Sequence, residues 1–249
     1  MQFQVSRISR DECGAGEWEA RVDLAAAHRL AVMHGLSEGI YNHLTQVVPG
    51  KPDRYYQIPF GMHWSEVKAS SFMEVGINDG EVKRGSGDVE RSCYCIHAPI
   101  HKALPQAKVV FHTHMPFASA LTRLEDPCIK EIGQTEVGMM EMIAYDDNYA
   151  PCQGPQQQNG AVHGQPRRYD GRSIGSRRIQ PALLHRARSA GANLRNVDRS
   201  TSEAATSGRV EKTKKDIGGA HLYSGPTPAE RHFCALKRIL DREEADYAS

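Results

Sequence analysis

The chain has 249 residues, of which 39% are hydrophobic and 24% are charged, and its formal net charge is +1. This is enough sequence for one large domain or two small ones, and the near-zero net charge argues against binding to nucleic acid or to a membrane surface. With no run of about 18 apolar residues, no apolar leader and six scattered cysteines, we expect a cytoplasmic protein with reduced thiols.

The spacing of apolar residues predicts helices and strands in alternation. Residues 17–33 repeat apolar side chains at helical spacing, and the helix should end near Gly35. A turn then leads into a strand that ends before Pro49. The later predicted elements are strands over 55–58 and 72–77, a helical turn over 65–70, a helix over 97–104 with Pro99 in its first turn, a strand over 109–112, and helices over 117–124 and 228–244. This order is typical of the α/β class.

The strand over 109–112 carries two histidines, His112 and His114. In an extended segment residues i and i+2 project from the same face, so both imidazoles can reach one cation at about 2.0–2.1 Å. The alternative is that both are polar residues on a solvated face of the strand. Cys93 and Cys95 could offer soft ligands, but structural zinc sites normally use Cys-x-x-Cys pairs.

Residues 150–209 differ from the rest of the chain. They contain ten arginines, no lysine and three acidic residues, with no helical or strand period. This composition is typical of a disordered basic linker or of an arginine-rich segment that binds nucleic acid. A linker of about sixty residues inside a compact domain is unusual, however. Ordinary sequence resumes at Val210.

Several segments of the first half resemble motifs of the class II aldolase/adducin family. These segments follow the order of the family's motifs: a Glu-Gly-x-x-Asn-His element, a Pro-Phe-Gly turn with Trp and Glu, an Ile-His-x-x-Ile-His helix and a His-Thr-His strand end. The matching residues are Glu38 to Thr45, Ile58 to Val67, Ile96 to His101, Val110 to His114, and Asp146 to Tyr149. Together these motifs identify residues from about Asp23 to Tyr149 with the family.

The resemblance implies one three-layer α/β/α domain over 1–249 and a homo-oligomer, in this family a tetramer. It implies that His112 and His114 are two of three histidine ligands to a divalent metal, zinc, with a position left open for substrate. The implied reaction is aldol cleavage or decarboxylation of a small hydroxy or oxo compound, in which the cation stabilises negative charge developing on the substrate. The alternative is an adducin-like binding and assembly module without enzymatic activity.

The same resemblance implies that Asn42, His43 and Gly61 contact the substrate, because matching positions in sugar-phosphate aldolases line its anionic end. Asn42 and Gly61 are equally explained as turn residues, Gly61 with a positive φ. Where those aldolases have a catalytic Glu, this chain has Cys93, so the adducin-like branch is the closer match and no general acid or base is identified. His97 and His101, one helical turn apart, either support the site or pack without a role.

Two family motifs are missing from the second half: an Asn-His-Gly turn with the third histidine, and a later helix containing Leu-Tyr-Tyr. The arginine-rich segment lies in their place. Nucleotide sequences can be chosen that encode residues 162–188 in one frame. When they are read one nucleotide later, they encode both missing motifs in the family's order. We therefore interpret 150–209 as a frameshift product that is not native-like, with the native frame restored at Val210 and a helical tail over 210–249. A third reading follows, in which the chain as written is inactive.

Overall fold

The computed structural model describes most of the chain outside its middle. The described residues fall into two compact units, of which the first ends at His114 and resumes at Cys234, while the second lies between these two parts. The described residues are 7–124 and 226–249, with 128–130, 133, 136–137, 140, 143–145 and 177–178.

The first unit is built on a five-stranded antiparallel sheet in the order β4-β3-β2-β1-β5. Helix α1 precedes the sheet, and helix α2 connects β4 to β5. The elements are α1 (Glu17–Met33), β1 (His43–Val48), β2 (Lys51–Gln57), β3 (Met73–Gly76), β4 (Val82–Arg84), α2 (Arg91–Ala103) and β5 (Val109–His112), with short 3-10 turns at Arg10–Glu12, Trp64–Glu66, Ala69–Ser71 and Ala245–Ala248.

Helices α1 and α2 cover opposite faces of this sheet, because side chains alternate between the two faces along each strand. Thr45 of β1 lies on the α2 side, where its Oγ1 is 2.7 Å from Nδ1 of His97. Tyr56 of β2 lies on the α1 side, where the Arg21 guanidinium carbon is 4.5 Å from the centre of its ring. The first unit therefore has the three α/β/α layers that the resemblance implied.

A buried carboxylate ties α1 to the sheet. Glu74 of β3 is fully buried, and three cations of the sheet surround it: Arg54 at 3.2 Å, Arg84 at 3.3 Å and Lys51 at 3.4 Å. Arg21 of α1 approaches it to 3.9 Å. A buried charge is tolerated only when it is paired in this way.

The last segment of the chain packs against α1. Helix α4 (Pro228–Glu243) belongs to the first unit from Cys234 onward. Just beyond it, Glu244 and Asp246 accept hydrogen bonds from Arg29 of α1 at 2.9 and 3.2 Å. Two side chains of the segment are buried in the core: Leu240 and Tyr247.

In the second unit the structure describes helix α3 (Pro116–Leu121), strand β6 (Ala144–Tyr145), strand β7 (Arg177–Arg178) and the first residues of α4. β6 and β7 pair antiparallel. The rest of the arginine-rich segment lies outside the described residues. No helix in the described ranges has the length and apolar character needed to cross a membrane.

Within the described ranges the predicted elements are present, but three differences stand out, and the first is that β2 begins at Lys51, four residues before its predicted start at Tyr55. Strand β4 was not predicted, because three residues between turns carry no readable period. The helix predicted over 97–104 begins at Arg91, so that prediction of its start was wrong. Cys93 and Cys95 therefore lie on a helix, and Pro99 is inside it instead of in its first turn. The start was missed because Glu90, an uncommon N-cap residue, caps this helix.

Candidate metal and substrate site

Two histidines where β5 ends turn their ring nitrogens toward each other. The Nε2 atoms of His112 and His114 are 2.9 Å apart. Two nitrogens that bind one tetrahedral zinc ion at about 2.0–2.1 Å lie about 3.3 Å apart. A small outward rotation of either ring therefore makes room for a cation, and the pair fits the metal that the resemblance implies.

Glu38 orients His114. Its Oε2 is 2.5 Å from Nδ1 of His114. A carboxylate accepts hydrogen bonds, so Nδ1 carries the proton and Nε2 keeps a lone pair on the side of His112. Carboxylates hold metal-binding histidines in this way in many proteins. Sequence analysis did not assign Glu38 to the site, because 76 residues separate it from His114.

His43 lies directly behind this pair. It is opposite His112 in the β1–β5 register, and the two rings stack with centroids 4.4 Å apart and an interplanar angle of 27°. Burial, together with the nearby His112 and His114, lowers the pKa of His43 to about 3. The ring is therefore neutral near pH 7.

A chain of buried hydrogen bonds runs from His43 into α2. Its four links are His43 Nδ1 to His97 Nε2 at 3.0 Å, His97 Nδ1 to Thr45 Oγ1 at 2.7 Å, Thr45 Oγ1 to His101 Nε2 at 2.8 Å, and His101 Nδ1 to the carbonyl oxygen of Ala107 at 3.2 Å. A carbonyl oxygen only accepts, so with neutral rings every proton in the chain points toward Ala107. His43 then donates through Nδ1, and its Nε2 lies 3.4 Å from the hydroxyl oxygen of Ser92. His97 and His101 are thus buried and hydrogen-bonded behind the site.

A small pocket opens beside His43. The three residues predicted to bind substrate, Asn42, His43 and Gly61, all line it. Asn42 is 3% exposed, and its Oδ1 accepts from the backbone N–H of Glu38. Its Nδ2 has no hydrogen-bond partner among the residues that the structure describes. Gly61 has φ of 96°, so the turn alone also accounts for a glycine there.

Glu90 forms the charged wall of this pocket, and of the described lining residues it alone carries a charge. Its Oε1 accepts from the backbone N–H of Ser92 at 3.1 Å, and its Oε2 accepts from the backbone N–H of Cys93 and from the Ser92 hydroxyl at 2.7 Å. Its Oε2 is also 3.7 Å from Nε2 of His43. Sequence analysis missed Glu90, because it lies outside every recognised motif.

A second group of possible ligands consists of His43, Cys93 and His97, whose ligand atoms lie within 4.8 Å of one another. All three residues are buried, and the two imidazoles already hydrogen-bond to each other. Burial, reinforced by Glu90, raises the pKa of the Cys93 thiol well above its usual value. A protonated thiol is a poor ligand, so the pair of His112 and His114 is the better candidate for a cation.

Comparison with known sequences agrees with the family that the motifs resemble. The profile described as Class II Aldolase and Adducin N-terminal domain matches residues 22–165. Alpha-adducin of Rattus norvegicus is 38% identical over 112 residues, which are 44% of this chain and 15% of that protein. A putative aldolase class 2 protein of Caulobacter vibrioides is 29% identical over 131 residues, 53% of this chain and 51% of that protein. The chain thus spans about half the length of this second relative, and much less of the first.

Two solved structures share the fold. An aldolase II superfamily protein from Pseudomonas syringae superposes with a TM-score of 0.80 at 24% identity, over 96% of this chain and 99% of that one. An L-fuculose 1-phosphate aldolase from Glaciozyma antarctica superposes with a TM-score of 0.70 at 16% identity, over 94% and 93% of the two chains. At these identities the likeness is one of fold.

Proposed function

We propose that this chain, which belongs to the class II aldolase and adducin family, is a metal-dependent lyase acting on a small hydroxy or oxo compound. The observation that carries the proposal is the 2.9 Å approach of the His112 and His114 Nε2 atoms. When bound there, a divalent cation supplies positive charge for the negative charge that develops beside the breaking bond. Zinc suits imidazole ligands of this kind.

The residues of the chain have separate tasks in this proposal. His112 and His114 hold the cation, and Glu38 keeps the lone pair of His114 directed at it. Asn42 and His43 line the adjacent pocket, and there they orient the substrate. The turn at Gly61 lines the same pocket.

Metal analysis tests the proposal in protein expressed from the resequenced gene. The wild-type protein is expected to retain about one zinc ion per chain after dialysis, and His112→Ala is expected to lose it, because one of the two described ligands is gone. His63→Ala is the matched control, since His63 binds Ser65 in a 3-10 turn outside the site. A folded wild-type protein without metal would contradict the lyase assignment.

A second function is an adducin-like assembly module without chemistry. It is favoured by the identity to alpha-adducin and by Cys93, a buried thiol of raised pKa, at the position where sugar-phosphate aldolases have a catalytic Glu. The same metal analysis separates the two functions, because a module that only assembles has no need of a retained cation.

We also propose that residues 150–209 result from a reading-frame slip, and that the family's third histidine ligand is encoded there in the native frame. The packing of residues 234–249 against α1 supports a native frame for that end of the chain. Resequencing the gene between the codons for Asp147 and Val210 tests the reading-frame slip: a sequence identical to the printed one would refute the slip. We further propose a homotetramer and a cytoplasmic location for the native-frame protein.

A further inference from the structure

We propose that the pocket beside His43 accepts an uncharged, hydroxyl-bearing end of the substrate and excludes phosphate, and that Glu90 makes this choice. The inference rests on the proposed function, since it names the class of substrate that the same site takes. Three properties of the pocket wall lead to it: occupied donors, negative charge, and a mixture of donor and acceptor atoms.

The donors at the start of α2 are occupied by a carboxylate of the chain itself. Unpaired N–H groups at a helix N-terminus attract anions such as phosphate. In this chain Glu90 accepts from the backbone N–H groups of Ser92 and Cys93, and the Ser92 hydroxyl also donates to it at 2.7 Å. Glu90, which lines the pocket, thus occupies all three donors and stands between them and a phosphate group in the pocket.

The charge of the wall opposes a phosphate as well. The described residues that line the pocket include no lysine and no arginine, and they include the Glu90 carboxylate. That carboxylate reaches to 3.7 Å from His43, so a phosphate touching His43 would lie a few ångströms from a like charge. Repulsion at this distance is strong in a partly desolvated site.

A hydroxyl group matches the atoms that face the pocket. Asn42 Nδ2 is a buried donor without a hydrogen-bond partner in the described ranges. The Glu90 carboxylate, which lines the same pocket, is an acceptor. A hydroxyl group accepts from Asn42 and donates to Glu90, whereas the dianion of a phosphate ester can only accept.

Replacement of Glu90 tests the inference with inorganic phosphate as the probe, measured by isothermal titration calorimetry on the full-length protein. Glu90→Ser keeps one capping oxygen at the start of α2, but it removes the charge and frees one of the two backbone donors. We expect its phosphate affinity to rise at least tenfold over wild type, and Asn42→Ala in the same background to lower it again. Glu81→Ser is the matched control, because it removes the same charge from an exposed residue outside the pocket.

Two outcomes would overturn the inference: no gain in phosphate affinity of Glu90→Ser over wild type, or an equal gain in Glu81→Ser. Glu90→Gln, which keeps the length of the side chain, is measured in parallel in case Glu90→Ser weakens the fold. Phosphate bound at a metal would contribute equally to wild type and variants. The zinc content of each sample is determined separately, so loss of the lyase proposal is distinguishable from loss of this one.

Discussion

Among single residues, Glu38 has the most direct influence on the proposed metal site. Its carboxylate is 68% exposed, yet it holds the proton of His114 on Nδ1 through a 2.5 Å hydrogen bond. The orientation of one ligand ring thus depends on a side chain that would not itself touch the metal. Removing such a partner typically weakens metal binding about 10- to 100-fold.

We therefore predict that Glu38→Gln lowers zinc affinity about 10- to 100-fold without abolishing binding, because the amide oxygen still accepts a hydrogen bond but carries no charge. Competition with a chromophoric chelator measures the affinity. Glu66→Gln serves as control, since Glu66 only accepts from the backbone N–H of His63. Equal affinities of Glu38→Gln and wild type would show that the carboxylate does not support the site.

The sequence alone could identify those site residues whose signal is local. His112 and His114 can be recognised by their i, i+2 spacing on a predicted strand, and Asn42 and Gly61 lie in recognisable motifs. Glu38 lies in the same motif as Asn42, but its role comes from a contact with His114, which is distant in sequence. Glu90 accepts from neighbouring backbone N–H groups and meets His43 only in the folded chain. No local pattern of residue types encodes a hydrogen bond across 76 residues.

At the level of secondary-structure elements, charge as well as apolar packing holds α1 to the sheet. Glu74 of β3 is the one fully buried carboxylate among the described residues, and cations of α1, β2 and β4 converge on it. A buried carboxylate with such partners is costly to remove, because the cations are left near one another without compensation.

Glu74→Gln is accordingly predicted to reduce the free energy of unfolding by about 3 kcal/mol or more. Urea denaturation followed by circular dichroism measures this change. Glu81→Gln is the comparison, because Glu81 is 72% exposed, pairs with Lys83 away from Glu74 and should contribute less than about 1 kcal/mol. A loss of similar size in both variants would mean that water already screens the cluster at Glu74.

Predictability also differed among the elements. Helix α1 repeats its apolar residues over more than four turns, and its bounds follow from that repeat alone. Strand β4 has three residues, and its extended form is imposed by pairing with β3. The start of α2 depends on the Glu90 side chain, which turns back onto two backbone N–H groups. Where contacts with neighbouring segments determine an element, its own residues carry little signal that could predict it.

For the molecule as a whole, buried neutral histidines make stability depend on pH. His28 is fully buried, with its ring edge-on to Trp64 at a centroid distance of 5.0 Å. Burial lowers the pKa of His28 to about 4, that of His101 to about 4 and that of His43 to about 3. The unfolded chain, with histidine pKa values near 6.5, takes up protons that the folded chain refuses.

The stabilisation that comes from keeping these histidines neutral is therefore expected to be fully present above about pH 6.5. The free energy of unfolding should fall as the pH drops toward 4. His28 alone should account for about 3 kcal/mol of this fall, at 1.36 kcal/mol per unit of pKa. His28→Phe should show a shallower loss in denaturation curves recorded from pH 7 to pH 4.5. If His28→Phe and wild type lose stability in parallel, protonation of the His28 ring does not cause the loss of stability at low pH. His63→Phe should keep the wild-type slope.

Strand β1 carries two unlike layers on alternate residues: Thr45 binds the histidines of α2, and Leu44, fully buried, points the other way. Adding or deleting a single codon inside β1 would exchange these layers. Imidazole partners would then meet hydrocarbon, and leucine would meet the pocket. Natural length variation should consequently collect in the turns that flank this strand, while the strand itself keeps its number of residues.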